Sequence, residues 1–156
     1  AQQNIAVVPI LVGEVSSQDT SRLAQVLAPL IASPENVFII SSDFCHWGSR
    51  FRYTHHYLPD KNPHIEDAVV AMDLEAIRRI EGYCGDVVTM WESYLKETRN
   101  TICGKSPITA LLKAIAALES ATTPPIDVCF VHYAKSGALN SVEDSSVSYA
   151  SAVILQ

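Results

Sequence analysis

The sequence predicts an α/β domain, a mixed β-sheet flanked by helices. Three observations carry that reading. Two continuous apolar runs near the start, residues 5–12 and 37–41, lack alternation and read as strands covered on both faces. Helical periodicity fills the middle of the chain. Two segments rich in β-branched residues, 126–134 and 146–155, close it. The order is β-α-β, then helices, then β-β, which stacks helices on a sheet. Early parallel strands and a late antiparallel pair would make that sheet mixed. At 156 residues, 48% hydrophobic and 18% charged, the length suits one domain over 1–156 with its own core.

Each element has its own signal. Pro9 removes a ladder donor within 5–12, so that strand is interrupted or lies at an edge. A helix is expected over 16–31, where Leu23, Val26, Leu27, Leu30 and Ile31 recur at helical spacing. Ser16 with Asp19 resembles a capping box, Pro29 should kink the last turn, and Pro34 marks the stop. Residues 48–62 have no period and read as a long functional or mobile loop. A helix over 64–80 buries Ile65, Ala68, Val69, Met72, Ala76, Ile77 and Ile80. Its stripe slips at Asp73, which suits the cap of a second helix. Gly82 and Gly85 close it. Val87, Met90, Trp91, Tyr94 and Leu95 stripe a helix over 86–97. Ser106 as N-cap and Pro107 as first residue open the clearest helix, which carries Ile108, Leu111, Leu112, Ile115 and Leu118. His132 continues the face of Ile126, Val128 and Phe130, so it is expected in the core.

Bulk properties exclude several classes. A net charge of −6 and a pI near 5.2 argue against non-specific binding to nucleic acid or an anionic membrane. No apolar run approaches the roughly 20 residues that span a bilayer, so no membrane insertion is expected. The N-terminus carries no signal-like segment, and the lack of a starting Met suits a fragment or a processed piece. Four cysteines without a C-x-x-C pair read as reduced thiols in a cytosolic protein. Cys45 reads as packing, Cys84 and Cys129 as structural. There is no P-loop, dinucleotide fingerprint, H-E-x-x-H or G-x-S-x-G.

The chemistry concentrates after the second predicted strand, in Ser41-Ser42-Asp43-Phe44-Cys45-His46-Trp47-Gly48. Loops beyond the carboxyl ends of strands are where open α/β sheets bind ligands. Asp43 and His46 suit a metal-ligand pair or an acid/base pair. A turn capped by Asp43, with His46 packed on Trp47, fits the spacing as well. Cys103 precedes a predicted helix start, where backbone N–H groups favour a thiolate, and Gly104 permits close approach. A small buried thiol is the other reading of Cys103. Arg50 and Arg52 suit either an anion or a solvated edge. Trp47 and Tyr53 suit either a pocket wall or the core. His55, His56 and His64 read as solvated loop residues.

The 41–48 block, continued by Arg50-Phe51-Arg52-Tyr53, resembles a segment of the Memo family. So do Asn100-Thr101-Ile102-Cys103-Gly104 followed by Pro107-Ile108, and Asp144-Ser145-Ser146-Val147-Ser148-Tyr149-Ala150. The three blocks occur in family order across almost the whole chain. The resemblance implies a fold similar to class III extradiol dioxygenases, present here as the C-terminal half only. It implies that Cys103 is the pocket cysteine, with Asp43 and His46 lining the same pocket. Two further pocket histidines would come from an N-terminal half that this chain lacks, so that half is an expected partner.

The resemblance also implies an iron or copper ion, redox chemistry, and signalling from receptor tyrosine kinases to the cytoskeleton and cell motility. A cytoplasmic protein, also found in the nucleus, fits that role. Two alternatives accompany it. One is an active non-haem iron dioxygenase acting on catechol-like rings, with His46 as the acid/base. The other is an adaptor in which Arg50 and Arg52, beside Trp47, hold a phosphotyrosine segment of a receptor or adaptor.

Overall fold

The computed structural model describes residues 5–56, 64–82, 86–119 and 126–155. Its elements are α1 (Ser17–Ile31), β1 (His46–Trp47), α2 (Ile65–Ile80), α3 (Val87–Thr98), α4 (Lys105–Glu119), β2 (Asp127–Lys135) and β3 (Ser146–Leu155), with a 3₁₀ turn at Ser49–Phe51. Cys84, Gly85 and the stretches 57–63 and 120–125 lie outside the described residues.

Among the described residues the sheet has three strands in the order β1-β3-β2. Both pairings are antiparallel, so the expected mixed sheet is not what forms. Strand β1 contributes only His46 and Trp47, opposite Val147 and Ser146. The antiparallel pair of β2 and β3 forms where the two closing segments predict it. One irregularity interrupts it, between Phe130 and His132, where Val131 is the surplus residue. Past that bulge the inward parity changes. His132 is therefore exposed rather than in the core, and Tyr133 turns inward.

The predicted strands at 5–12 and 37–41 do not form. Among the described residues neither segment pairs with a strand, and Val7, Leu11, Val37 and Ile39 are open to solvent. Their apolar, β-branched composition is the right composition for a strand. A strand exists only when a neighbour takes up its N–H and C=O groups, and none of the described strands does so here.

The helices follow their local signals with three corrections. Ser16 caps α1, accepting from the Asp19 N–H at 3.1 Å, as its spacing predicts. The buried face of α1 is Thr20, Ala24, Leu27, Ala28 and Ile31, while Val26 and Leu30 stay exposed. Small residues face α4 because close helix approach requires them. Helix α2 runs through Asp73 without a break, and Asp73 is buried rather than capping a second helix. Helix α4 starts at Lys105, so Ser106 and Pro107 lie within its first turn. Asp86 caps α3, accepting from Val88 and Thr89 N–H groups.

One core gathers Trp47, Met72, Trp91, Tyr94, Ile102 and Leu112 between the helices and the sheet. A second, smaller one lies between α1 and α4. Beside them an open apolar groove of about 550 Å³ runs between Val37–Ile40, α4 and the outer part of the β2–β3 hairpin.

Candidate functional site

The site forms where two irregular segments, 42–46 and 100–104, lie side by side. Thr101 locks them. Its hydroxyl accepts from the His46 N–H and donates to the His46 carbonyl, both at 2.8 Å. The Thr101 carbonyl accepts from His46 Nδ1 at 2.9 Å. A carbonyl oxygen only accepts, so Nδ1 carries the proton and neutral His46 keeps the lone pair on Nε2. That nitrogen faces Asp43 Oδ2 at 3.8 Å. This is the arrangement in which an imidazole is oriented by its far nitrogen and free to ligate or accept a proton at the near one.

Cys103 enters the same corner from the turn before α4. The Asp43 N–H points at its Sγ, 3.2 Å away, and the Ser42 hydroxyl lies 4.0 Å off. The thiol is exposed and free. Gly104 donates its N–H to Ser42 Oγ at 2.9 Å, and a Cβ there would collide with Ser42. Glycine is therefore what lets the two segments touch. Cys45, two residues from Asp43, is buried, and loss of solvation pushes its thiol far above the ordinary range. It is packing, as its sequence position suggests. Cys129 is exposed on β2 rather than a buried structural thiol.

The remaining candidates sit around this corner. Phe51 packs edge-on against the His46 ring, 5.3 Å between centroids, and the Arg50 guanidinium lies 5.5 Å from the Phe51 centroid. Arg50 and Arg52 are exposed, the latter held at φ 55° just after the 3₁₀ turn. Trp47 is fully buried and donates its indole N–H to the His55 carbonyl at 2.9 Å. Its role here is in the core, and it offers a partner no surface. Tyr53 is likewise buried, its hydroxyl donating to the Thr98 carbonyl at 2.8 Å. His55 and His64 are exposed.

The structure thus brings Asp43, His46 and Cys103 into one corner. The donor types suit iron or copper, since they combine imidazole, carboxylate and a soft thiol. Among the described residues, no group of three His, Cys, Asp or Glu side chains closes on a point where an ion could sit. The corner fits part of a metal site and not a whole one. Thr101, Ser42 and Phe51 were not singled out by sequence reasoning. Their one available signal was proximity in sequence to Cys103 and His46.

The comparisons follow this geometry. The family model described as "Memo-like protein" matches residues 1–153. Protein MEMO1 of Xenopus laevis is 38% identical over 154 residues, 99% of this chain and 50% of the relative. Protein MEMO1 of Homo sapiens is 35% identical over 153 residues, again 50% of its length. The protein memo-1 homolog of Caenorhabditis elegans is 36% identical over 148 residues, 41% of its length. The chain spans about half the length of the curated relatives it matches.

Proposed function

We propose, on the premise that this chain belongs to the Memo family, that the corner formed by Asp43, His46 and Cys103 is part of an iron- or copper-binding redox site. The observation that carries this reading is the Thr101 clamp, which orients His46 with its Nε2 lone pair toward Asp43. Cys103 supplies a soft donor at the same place. The remaining ligands come from outside the described residues. The signalling role implied by the resemblance, toward cytoskeleton and cell motility, rests on this site and belongs to the same proposal. The free thiols Cys45, Cys103 and Cys129 suit a reducing compartment, cytoplasm or nucleus. Among the described residues, no helix is long and apolar enough to cross a membrane.

The test is a competition titration with Cu(I) and Fe(II) against a chelator. It is run on this chain and on a full-length relative carrying it in place of its matching half. His46→Ala and Cys103→Ser should each weaken binding by about ten-fold or more. Equal affinity in all three proteins overturns the reading.

The part of the relatives' length that this match does not cover is the partner we propose for the open groove, and the expected source of the missing ligands. The unpaired runs 5–12 and 37–41 and the groove beside Val37–Ile40 support it. In the full-length chimera, amides of 37–41 should exchange far more slowly than in the chain alone. The dioxygenase-like fold resemblance belongs to the same proposal. Turnover of catechols is the alternative enzyme reading, tested by oxygen uptake with Fe(II) and its loss in His46→Ala. A phosphopeptide reading draws on Arg50, stacked on Phe51, and exposed Arg52. Arg50→Ala with Arg52→Ala should abolish any preference for a phosphotyrosine peptide over its plain form.

A further inference from the structure

We infer that Asp73 is the positioning residue of this site, a buried carboxylate that ties its two separate segments together from beneath. This rests on the reading of Asp43, His46 and Cys103 as the site. Asp73 lies in the middle of α2, fully buried, and touches neither His46 nor Cys103. Its four hydrogen-bond donors come from four places. The Cys45 N–H belongs to the 42–46 segment, between Asp43 and His46. The Asn100 amide, 3.2 Å from Oδ1, opens the 100–104 segment that carries Thr101 and Cys103. The Tyr133 hydroxyl on β2 donates to Oδ2 at 2.9 Å, and Ser148 on β3 donates from its side chain.

The neighbours extend the tie. Ser148 also brackets the 42–46 segment through its backbone, accepting from Phe44 N–H at 2.8 Å and donating to the Cys45 carbonyl at 2.9 Å. Asn100 spends its amide N–H groups on Asp73 and on the Tyr94 hydroxyl, 2.7 Å away. Its own Oδ1 finds no partner among the described residues. The amide is therefore oriented by what it donates to, and Asp73 is one of those two acceptors. A hydrophobic residue at position 73 would fill the space and leave the Cys45 N–H and one Asn100 amide hydrogen, both on the site's own segments, without this acceptor, while the Tyr133 hydroxyl would turn to Ser148 Oγ, 3.1 Å away.

The experiment compares Asp73→Asn, Tyr133→Phe and, as a control, Glu66→Gln. Glu66 is also on α2, and its carboxylate holds the Leu139 N–H and Lys135, away from the site. Two readouts are taken at a temperature where every protein is folded by circular dichroism. One is the NMR shift of the Asp43 and His46 amide protons, which report the contacts to Cys103 and Thr101. The other is Fe(II) and Cu(I) affinity in the full-length chimera. Asp73→Asn should move both amide signals and weaken metal binding about ten-fold, and Tyr133→Phe should do the same to a smaller extent. Glu66→Gln should leave both readouts unchanged.

If Asp73→Asn does not fold, Tyr133→Phe decides the matter alone. Amide signals that stay put in the folded Asp73 and Tyr133 variants overturn the inference, as does an equal response in Glu66→Gln. Failure of the metal reading looks different. Cys103→Ser would then leave metal affinity intact while Asp73→Asn still moved the Asp43 and His46 amides.

Discussion

The two sides of this molecule start from similar material and end differently. Around Trp47, Trp91 and Tyr94 apolar residues are fully buried and the polar groups among them are tied into hydrogen bonds, including a carboxylate inside a helix. Around residues 5–12 and 37–41 equally apolar residues lie open, with Val37 88% and Ile39 87% exposed. Hydrophobicity does not distinguish the two. What distinguishes them is whether the chain supplies a partner surface. An apolar run without one stabilises nothing, because its transfer from water never happens.

The largest expected effect tests that contrast directly. Trp91→Ala removes a buried indole that stacks on Tyr94 and donates to Thr109 Oγ1 at 2.9 Å. It should cost about 3–5 kcal/mol in urea unfolding. Val37→Ala in the same chain should cost less than about 0.5 kcal/mol. Comparable losses would mean that the open run is packed in solution, and the contrast would collapse. In a full-length chimera the Val37 effect should rise toward that of a core valine.

The second effect is electrostatic, and its sign differs between groups. Burial raises the Asp73 carboxyl above its ordinary 3.8, with hydrogen bonds from Ser148, Tyr133 and Asn100 opposing. An acid whose pKa is raised by folding holds its proton more tightly in the fold. It therefore lowers stability progressively as pH climbs from about that ordinary value through the raised one. Asp73→Asn should flatten this decline in a stability-versus-pH profile.

Glu66 and Asp86 act oppositely. The Lys135 partner lowers Glu66 below 4.5, and the Thr89 hydroxyl lowers Asp86 below 3.8. What they contribute is present above those ordinary values and is lost as pH falls through the lowered ones. Glu66→Gln should flatten the acid limb and leave the other untouched. A profile whose two limbs move together in either variant would show that the groups are not separable.

The smallest effect is local. Asp86→Ala removes the cap of α3 and should cost about 1 kcal/mol, read as a lower urea midpoint at unchanged slope. It serves as the baseline against which Asp73 substitutions are judged. Both are carboxylates accepting backbone N–H groups, but one is exposed and the other enclosed.

Features written in a few neighbouring residues were legible in the sequence. The Ser16 cap, the stripe of α3 and the closing antiparallel pair form as the sequence predicts, because cap and pattern signals are settled within a handful of positions. Asp43, His46 and Cys103 were found as candidates, and they do meet. What joins them was not legible. Thr101 reaches His46 across 55 positions, and nothing in a lone threonine announces that. Asp73 did leave a trace, as a charge interrupting an apolar stripe. From sequence it suits a cap, because a buried carboxylate makes sense only beside the Asn100 and Tyr133 groups that reach it in the fold. Residues 5–12 and 37–41 misled for the reverse reason. Their composition is that of strands, and strand formation is decided by neighbours.

The extra residue in β2 has one more consequence. A strand offers its side chains in two alternating frames, and Val131 shifts β2 from one frame to the other partway along. Tyr133 is thereby presented to Asp73 and His132 to water. Were β2 to run through Val131 in strict alternation, without the bulge, the two would exchange, setting a titratable imidazole against the enclosed carboxylate in place of a phenol. The bulge thus decides whether the underside of the site is wired by a neutral contact or by an ion pair that switches with proton concentration.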